Sequence, residues 1–138
     1  MARLHVVALS ARLPAWAEAA CADYAKRMPR GYEISRINTK ADRLRTALPA
    51  LINKGARVVA LDERGKDFTT VQFSKLLGEE TAFVIGGPDG LDDKVKNEAK
   101  ILLRLSSLTL PHALAQVVLL EQIYRAATLL TGHPYHRE

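Results

Sequence analysis

The residues with chemical potential in this chain gather after residue 84. Ile85-Gly86-Gly87-Pro88-Asp89-Gly90-Leu91 and Leu105-Ser106-Ser107-Leu108-Thr109-Leu110-Pro111-His112 are two loop motifs in succession, and the chain closes on His133-Pro134-Tyr135-His136-Arg137-Glu138. Gly86 and Gly87 carry no side chain and would let a ligand come close to the backbone. Pro88-Asp89-Gly90 is equally the composition of an ordinary turn. In the second motif, leucines beside small hydroxyl residues can form an apolar slot for a flat ring while backbone amides and carbonyls read its edges. Leu105, Leu108 and Leu110 would serve a core as readily. The tail sets imidazoles, a phenol, a guanidinium and a carboxylate where chain ends commonly fray.

Several chemistries are disfavoured by spacing. The glycine motif is not followed by Gly-Lys-Ser/Thr and lacks the Gly-x-Gly-x-x-Gly of a dinucleotide fold. No serine sits in a Gly-x-Ser-x-Gly setting, so a hydrolase built on His112 or His136 has no recognisable nucleophile. His112, His133 and His136 do not make a metal set, and the single thiol, Cys21, adds no ligand cluster; no metal is expected. Cys21 lies among alanines and reads as helix packing. One thiol allows no internal disulfide, which fits a reducing cytoplasm. His112 follows Pro111 at a helix start, where its charged form is disfavoured. It could cap, coordinate or act as a base, and capping is the simplest of these. Glu121 and Arg125 are spaced for an i,i+4 ion pair.

The elements that must hold these groups alternate. Leu4–Leu9 and Arg57–Leu61 are apolar, β-branched runs that read as buried strands, as does Ala82–Ile85. Tyr32, Ile34 and Ile37 mark a more polar strand near an edge. Pro14 opens a helix with Trp16, Ala20 and Tyr24 on its apolar face. Thr39–Asn53 reads as a helix that Pro49 should kink or split. Asp62-Glu63-Arg64-Gly65-Lys66 reads as a charged turn, and Thr69 or Thr70 as the cap of a short helix. Asp92 should cap a helix reaching about Leu103. Arg104–Leu110 is strand or extended loop, and a last helix should run from Pro111 to Thr131 and stop at Gly132. This order predicts an α/β fold, a mostly parallel sheet flanked by helices on both faces, in one domain over 1–138. A net charge of +5 tolerates a polyanionic partner without requiring one. No apolar run approaches a membrane span, and the N-terminus lacks the apolar core of a signal peptide, so no membrane partner is expected.

The two loop motifs and the tail, taken together, resemble the RlmH (YbeA-like) family. Leu4-His5-Val6-Val7-Ala8-Leu9 and Val59-Ala60-Leu61-Asp62-Glu63-Arg64-Gly65-Lys66 agree with it. The likeness spans essentially the whole chain and is strongest after Val58, while the stretch from Lys40 to Lys54 is short and divergent. The resemblance implies a SPOUT-class methyltransferase dependent on S-adenosylmethionine, with a C-terminal trefoil knot. It implies a homodimer that methylates N3 of a pseudouridine in large-subunit ribosomal RNA on the assembled ribosome. Carried onto this chain, it assigns cofactor binding to Leu61, Gly87, Leu105, Ser106, Ser107, Leu108, Thr109, Leu110 and Pro111. It assigns the reaction to Tyr135, His136 and Arg137: Arg137 would steady phosphate or a developing anion, and His136 or Tyr135 would contact the base or relay its proton. Packing at a dimer contact is the tail's other use. Arg3, Arg12, Arg27, Arg30, Lys66 and Arg137 are candidate phosphate contacts. The competing reading is a basic α/β domain that binds RNA or the ribosome without catalysis.

Overall fold

Five segments form parallel strands: β1 (Ala2–Ala8), β2 (Tyr32–Asn38), β3 (Arg57–Asp67), β4 (Thr81–Ile85) and β5 (Ile101–Arg104). The computed structural model describes residues 2–9, 12–78, 80–87 and 89–135. The strands lie in the order β2-β1-β4-β3-β5, and every pairing is parallel. Central β4 is buried along its whole length, which explains its unbroken apolar sequence. Strand β2 is the polar edge that its composition predicts.

The connections are α1 (Ala15–Lys26), α2 (Ala41–Asn53), α3 (Thr70–Ser74) with a 3-10 turn over Lys75–Leu77, α4 (Asp93–Glu98) and, after β5, α5 (His112–Thr131). One core packs α1, α3 and α5 on the face that shows Leu4, Val6, Val59 and Phe83. The other packs α2 and α4 on the face that shows Val7, Val58, Ala60 and Val84. Steps toward β2 use the first face and steps toward β5 the second, the pattern that a single crossover hand produces.

Local chemistry sets most boundaries. Thr69 accepts from Gln72 N–H and Gln72 returns a bond to Thr69 N–H, a complete capping box. Asp92 accepts from Val95 N–H at 3.0 Å to start α4. Gly132 ends α5 at φ +76°, a left-handed conformation that suits glycine.

Four expectations are corrected. Trp16 is 56% exposed, and α1 instead buries Ala17 and Cys21. Pro49 does not split α2, which continues through it as one helix, because Leu44, Leu48 and Leu51 pin it to the sheet on both sides of the proline. Helix α4 stops at Glu98; Lys100 N–H then donates to Val58 C=O at 2.9 Å, and Ile101–Arg104 join the sheet. Short apolar runs carry no periodicity that separates helix from strand, so the neighbouring strand decides. Finally, α5 is long and apolar enough to cross a membrane by length and composition. Its buried side, from Gln116 to Thr128, is the partner of α1 and α3 in the first core.

The fifth difference shapes the site. The charged segment after Leu61 is not a free turn. Leu103 of β5 is paired with Leu61 and again with Lys66, and Arg104 with Asp67. Residues 62–65 therefore bulge out of register and β3 returns to β5. Gly65 makes the return possible: a Cβ there would lie 2.6 Å from the carbonyl carbon of Leu103 and 2.8 Å from that of Leu102. Gly65→Ala places a methyl group against backbone that cannot rotate away. It should lower unfolding stability by about 1–3 kcal/mol, the usual cost of overpacking. A urea midpoint equal to wild type would show that this crossing is looser than described.

Candidate functional site

The bulge within β3 and the segments that leave the C-terminal ends of β4 and β5 meet around one cavity of about 630 Å³. Leu61–Arg64 forms one wall and Leu103–Leu110 another, while residues of the glycine loop between Ile85 and Leu91 line it from β4. Lys96 of α4 and Ala115 of α5 complete the lining. Strand C-terminal ends are the general ligand position in such sheets.

The glycine loop is built against its own chain. Gly90 N–H donates to Gly87 C=O at 2.9 Å, and Gly90 takes φ +74°. A Cβ on Gly86 would lie 2.6 Å from the carbonyl carbon of Gly90, and one on Gly87 would lie 2.5 Å from the Leu9 carbonyl oxygen. Leu9 N–H donates to Ile85 C=O at 2.9 Å, so the loop after β1 is tied to the loop after β4. These glycines thus admit protein backbone at close range, and both also line the cavity. Pro88 of the same loop lies outside the described residues.

The second loop is shaped by Ser106, whose hydroxyl accepts from Leu108 N–H at 2.9 Å. This leaves the Leu108 side chain 76% exposed at the cavity rim. The rim carries both signs of charge. Asp62 lies 3.5 Å from Lys96 Nζ, and Glu63, Asp89 and Arg64 also line the space. Arg104 donates two bonds to Asp67 at 2.7 and 2.6 Å. That pairing holds the Asp67 carboxyl below its usual range and ties the end of β3 to the end of β5.

Leu61, Gly87, Leu105, Ser106, Ser107, Leu108, Thr109 and Leu110 all line the cavity. Pro111 does not; it is the N-cap residue of α5. His112 does not cap, since that terminus has no side-chain cap bond. Its Nε2 instead lies 2.9 Å from Gln116 Nε2, one turn on. Asp62, Glu63, Arg64 and Lys96 are lining residues that spacing alone did not single out. The first three announce themselves only through following a buried strand, and Lys96 through nothing local.

Tyr135 lies elsewhere. Its hydroxyl donates to Glu121 Oε2 at 2.7 Å, six residues and about 9 Å along the α5 axis from Ala115. His136 and Arg137, also expected to act, lie outside the described residues. Among the candidate phosphate contacts, Arg27 is paired with Asp23 at 2.9 Å, and Arg3, Arg12, Arg30 and Lys66 are exposed. Cys21 is buried, and burial pushes its thiol pKa up, which agrees with packing and not with nucleophilic use.

Known proteins share this chain's sequence and its fold. The family model described as "Predicted SPOUT methyltransferase" matches residues 2–136. Ribosomal RNA large subunit methyltransferase H of Polynucleobacter asymbioticus is 48% identical over 146 residues, covering 99% of both chains. Among solved structures, a putative RNA methyltransferase from Bacillus anthracis superposes with a TM-score of 0.60 at 16% identity, covering 98% of each chain. The SpoU methyltransferase AviRb from Streptomyces viridochromogenes, solved in complex with the cofactor AdoMet, superposes at 0.57 and 13% identity over 98% of this chain and 58% of its own. The last two speak for the fold alone. The end-to-end match and the near-half identity mean that the chain belongs to the SPOUT methyltransferase family, in the group of the ribosomal RNA large subunit methyltransferases H.

Proposed function

We propose that this chain, as a single catalytic domain over 1–138, transfers a methyl group from S-adenosylmethionine to N3 of a pseudouridine in large-subunit ribosomal RNA. It works as a homodimer on the assembled ribosome, in the cytoplasm. The observation that carries this reading is the convergence of the β3 bulge and the two loops after β4 and β5 on one cavity in a chain of this family.

The cavity suits the cofactor by size and chemistry. Its volume lies within the roughly 300–1,000 Å³ usual for small-molecule sites. Leu61, Leu105, Leu108 and Leu110 give apolar surface for an adenine ring, and the loop backbone gives donors and acceptors for its edges. Asp62, Glu63 and Asp89 put carboxylates around a ligand that carries positive charge, and Lys96 and Arg64 suit its carboxylate. S-adenosylmethionine, when bound, supplies a methyl group made electrophilic by its sulfonium. The glycine loop, tied to β1 through Leu9, and the Ser106 turn hold the cavity walls still, so the protein's share of the work is alignment.

The base side needs a different set of groups. N3–H of a uracil-type ring is a weak acid and must lose its proton in the transfer. His136 is the group that accepts it. Arg137 steadies the anion left on the ring or an adjoining phosphate through a guanidinium that stays charged. Tyr135 joins this motif to the fold. The motif of one protomer completes the cavity of its partner. The distance of Tyr135 from Ala115 along α5 supports this arrangement, as do the exposed apolar Trp16 of α1 and Leu114 and Leu130 of α5, on two helices that pack together. The knotted path implied by the resemblance is part of the same reading, and the return of β3 to Leu103 at Lys66 supports it.

Mass spectrometry of ribosomal RNA from cells lacking this chain should find one methyl group missing from a pseudouridine; an unchanged modification pattern would leave a non-catalytic RNA-binding role. Deleting Tyr135–Glu138 should abolish transfer of radiolabelled methyl to ribosomes while calorimetry gives near wild-type cofactor affinity. Full turnover in that truncation would remove the tail from the reaction. Leu108 is mostly exposed, so Leu108→Ala should leave the unfolding midpoint alone. It should still weaken cofactor binding about tenfold, the value of roughly 1.4 kcal/mol of lost apolar contact. Wild-type affinity in this variant would take the second loop out of the binding site.

A further inference from the structure

Glu121 is a carboxylate on an otherwise apolar stretch of α5, and it serves two parts of the chain at once. Its Oε2 accepts from Arg125 Nη2 at 2.7 Å and Nε at 3.1 Å, and from the Tyr135 hydroxyl at 2.7 Å. Its Oε1 accepts from Gln122 Nε2 at 2.7 Å. A plain i,i+4 pair on a helix surface is worth little. A partly buried carboxylate that gathers a guanidinium, an amide and a phenol is held by charge-assisted bonds of the stronger kind.

The Tyr135 ring is held from two further sides. The Arg125 guanidinium lies 5.1 Å from its centroid, and the Tyr124 ring lies 4.6 Å away. Tyr124 in turn meets Tyr24 of α1 at 5.7 Å. The backbone prepares this docking. After the left-handed Gly132, His133 N–H donates to Thr128 C=O at 2.9 Å, and Tyr135 N–H reaches His133 Nδ1 at 3.3 Å. The chain thus turns back beside its own helix and inserts Tyr135 immediately before His136 and Arg137 in sequence. Two extended residues span about 7 Å at most. Covalent connection therefore keeps the proposed His136-Arg137 pair within that distance of the pegged Tyr135.

The same contacts define what the phenol does. It donates to a carboxylate. Burial first, and then the bond to Glu121, push its pKa up, so it keeps its proton at physiological pH. A group already donating to a carboxylate is a poor choice to take a proton from a base.

We propose that Glu121 is a positioning residue for methyl transfer: it holds Arg125 and the Tyr135 hydroxyl together, fixes the residue to which His136-Arg137 is joined, and makes Tyr135 the peg of the tail instead of its proton carrier. The proposal rests on the reading of the tail as the base-side half of the reaction site, and the variants separate the two ideas. Full-length protein is assayed on ribosomes as wild type, Glu121→Ala, Glu121→Gln, Tyr135→Phe, Glu121→Ala with Tyr135→Phe, and a deletion of 136–138. Tyr135→Phe removes one oxygen and keeps the ring against Arg125 and Tyr124, so it remains a usable test even where Glu121→Ala folds poorly.

Glu121→Ala and Tyr135→Phe should each lower kcat about tenfold or more, the scale of one lost hydrogen bond to a charged group. Cofactor Kd should stay at its wild-type value. The double variant should be no slower than the slower single one, since both remove the same bond. Glu121→Gln should recover part of the rate, because its amide oxygen still accepts from Tyr135. The kcat–pH profile of Tyr135→Phe should keep the wild-type limbs. Wild-type kcat in Tyr135→Phe beside an inactive 136–138 deletion would overturn the peg while keeping the tail in the reaction. Loss of a pH limb in Tyr135→Phe would overturn it in favour of a proton carrier. A fully active 136–138 deletion would overturn both the peg and the reading of the tail beneath it.

Discussion

Leu103 of β5 is met twice by the same neighbouring strand, at Leu61 and at Lys66, and the cavity depends on that double contact. Without the return of β3, residues 62–64 would be a solvated turn and the second loop would have no opposing wall. Gly65 allows the return by leaving room for the backbone of Leu102 and Leu103. The Arg104–Asp67 pair closes it from the outside. Asp67 is exposed and Arg104 half-buried, so the apolar crossing at Leu103, which is 2% exposed, holds the geometry and the ion pair finishes it.

The crossing also explains where the cavity lies. In a doubly wound sheet the expected crevice opens between neighbouring strands whose connections depart in opposite directions. Here those are β1 and β4, with β1 leading toward β2 and β4 toward β5. That crevice is closed by the Leu9 carbonyl set against Gly87. The open space has moved to the side of β4 that faces β3 and β5, where the returning strand lifts one wall away from the other. Close packing of backbone on one side and separation on the other arise from the same row of strand ends.

Helix α5 links the two halves of the proposed chemistry. Its first turns carry His112, bonded to Gln116, and Ala115 at the cavity. Its middle carries Glu121 and Arg125, which dock Tyr135. Between these ends the helix is buried against α1 and α3, so the separation of donor pocket and tail root is set by a rigid element. In the homodimer proposed above, that fixed spacing lets a tail anchored on one protomer serve the cavity of the other.

Much was legible from local chemistry. The apolar runs of β1, β3 and β4, the caps at Thr69 and Asp92, the stop at Gly132 and the Glu121–Arg125 pair all follow from side chains acting on neighbours close in sequence. The loop residues from Leu105 to Leu110 were legible too, through a motif. What could not be read locally is each feature decided by residues distant in the chain. Ile101–Leu103 became a strand because Val59–Leu61 offered a free edge. The charged segment after Leu61 became extended because β5 lay beneath it, and Pro49 stayed within a helix because leucines on either side were pinned to the sheet. Tyr135 reached Glu121 because Gly132 reversed the chain. Sequence by itself determined where most helices and strands start and which residues were candidates to bind or react. The tertiary structure alone decided which of them share one space, because backbone pairing and core packing join segments whose own composition permits more than one conformation.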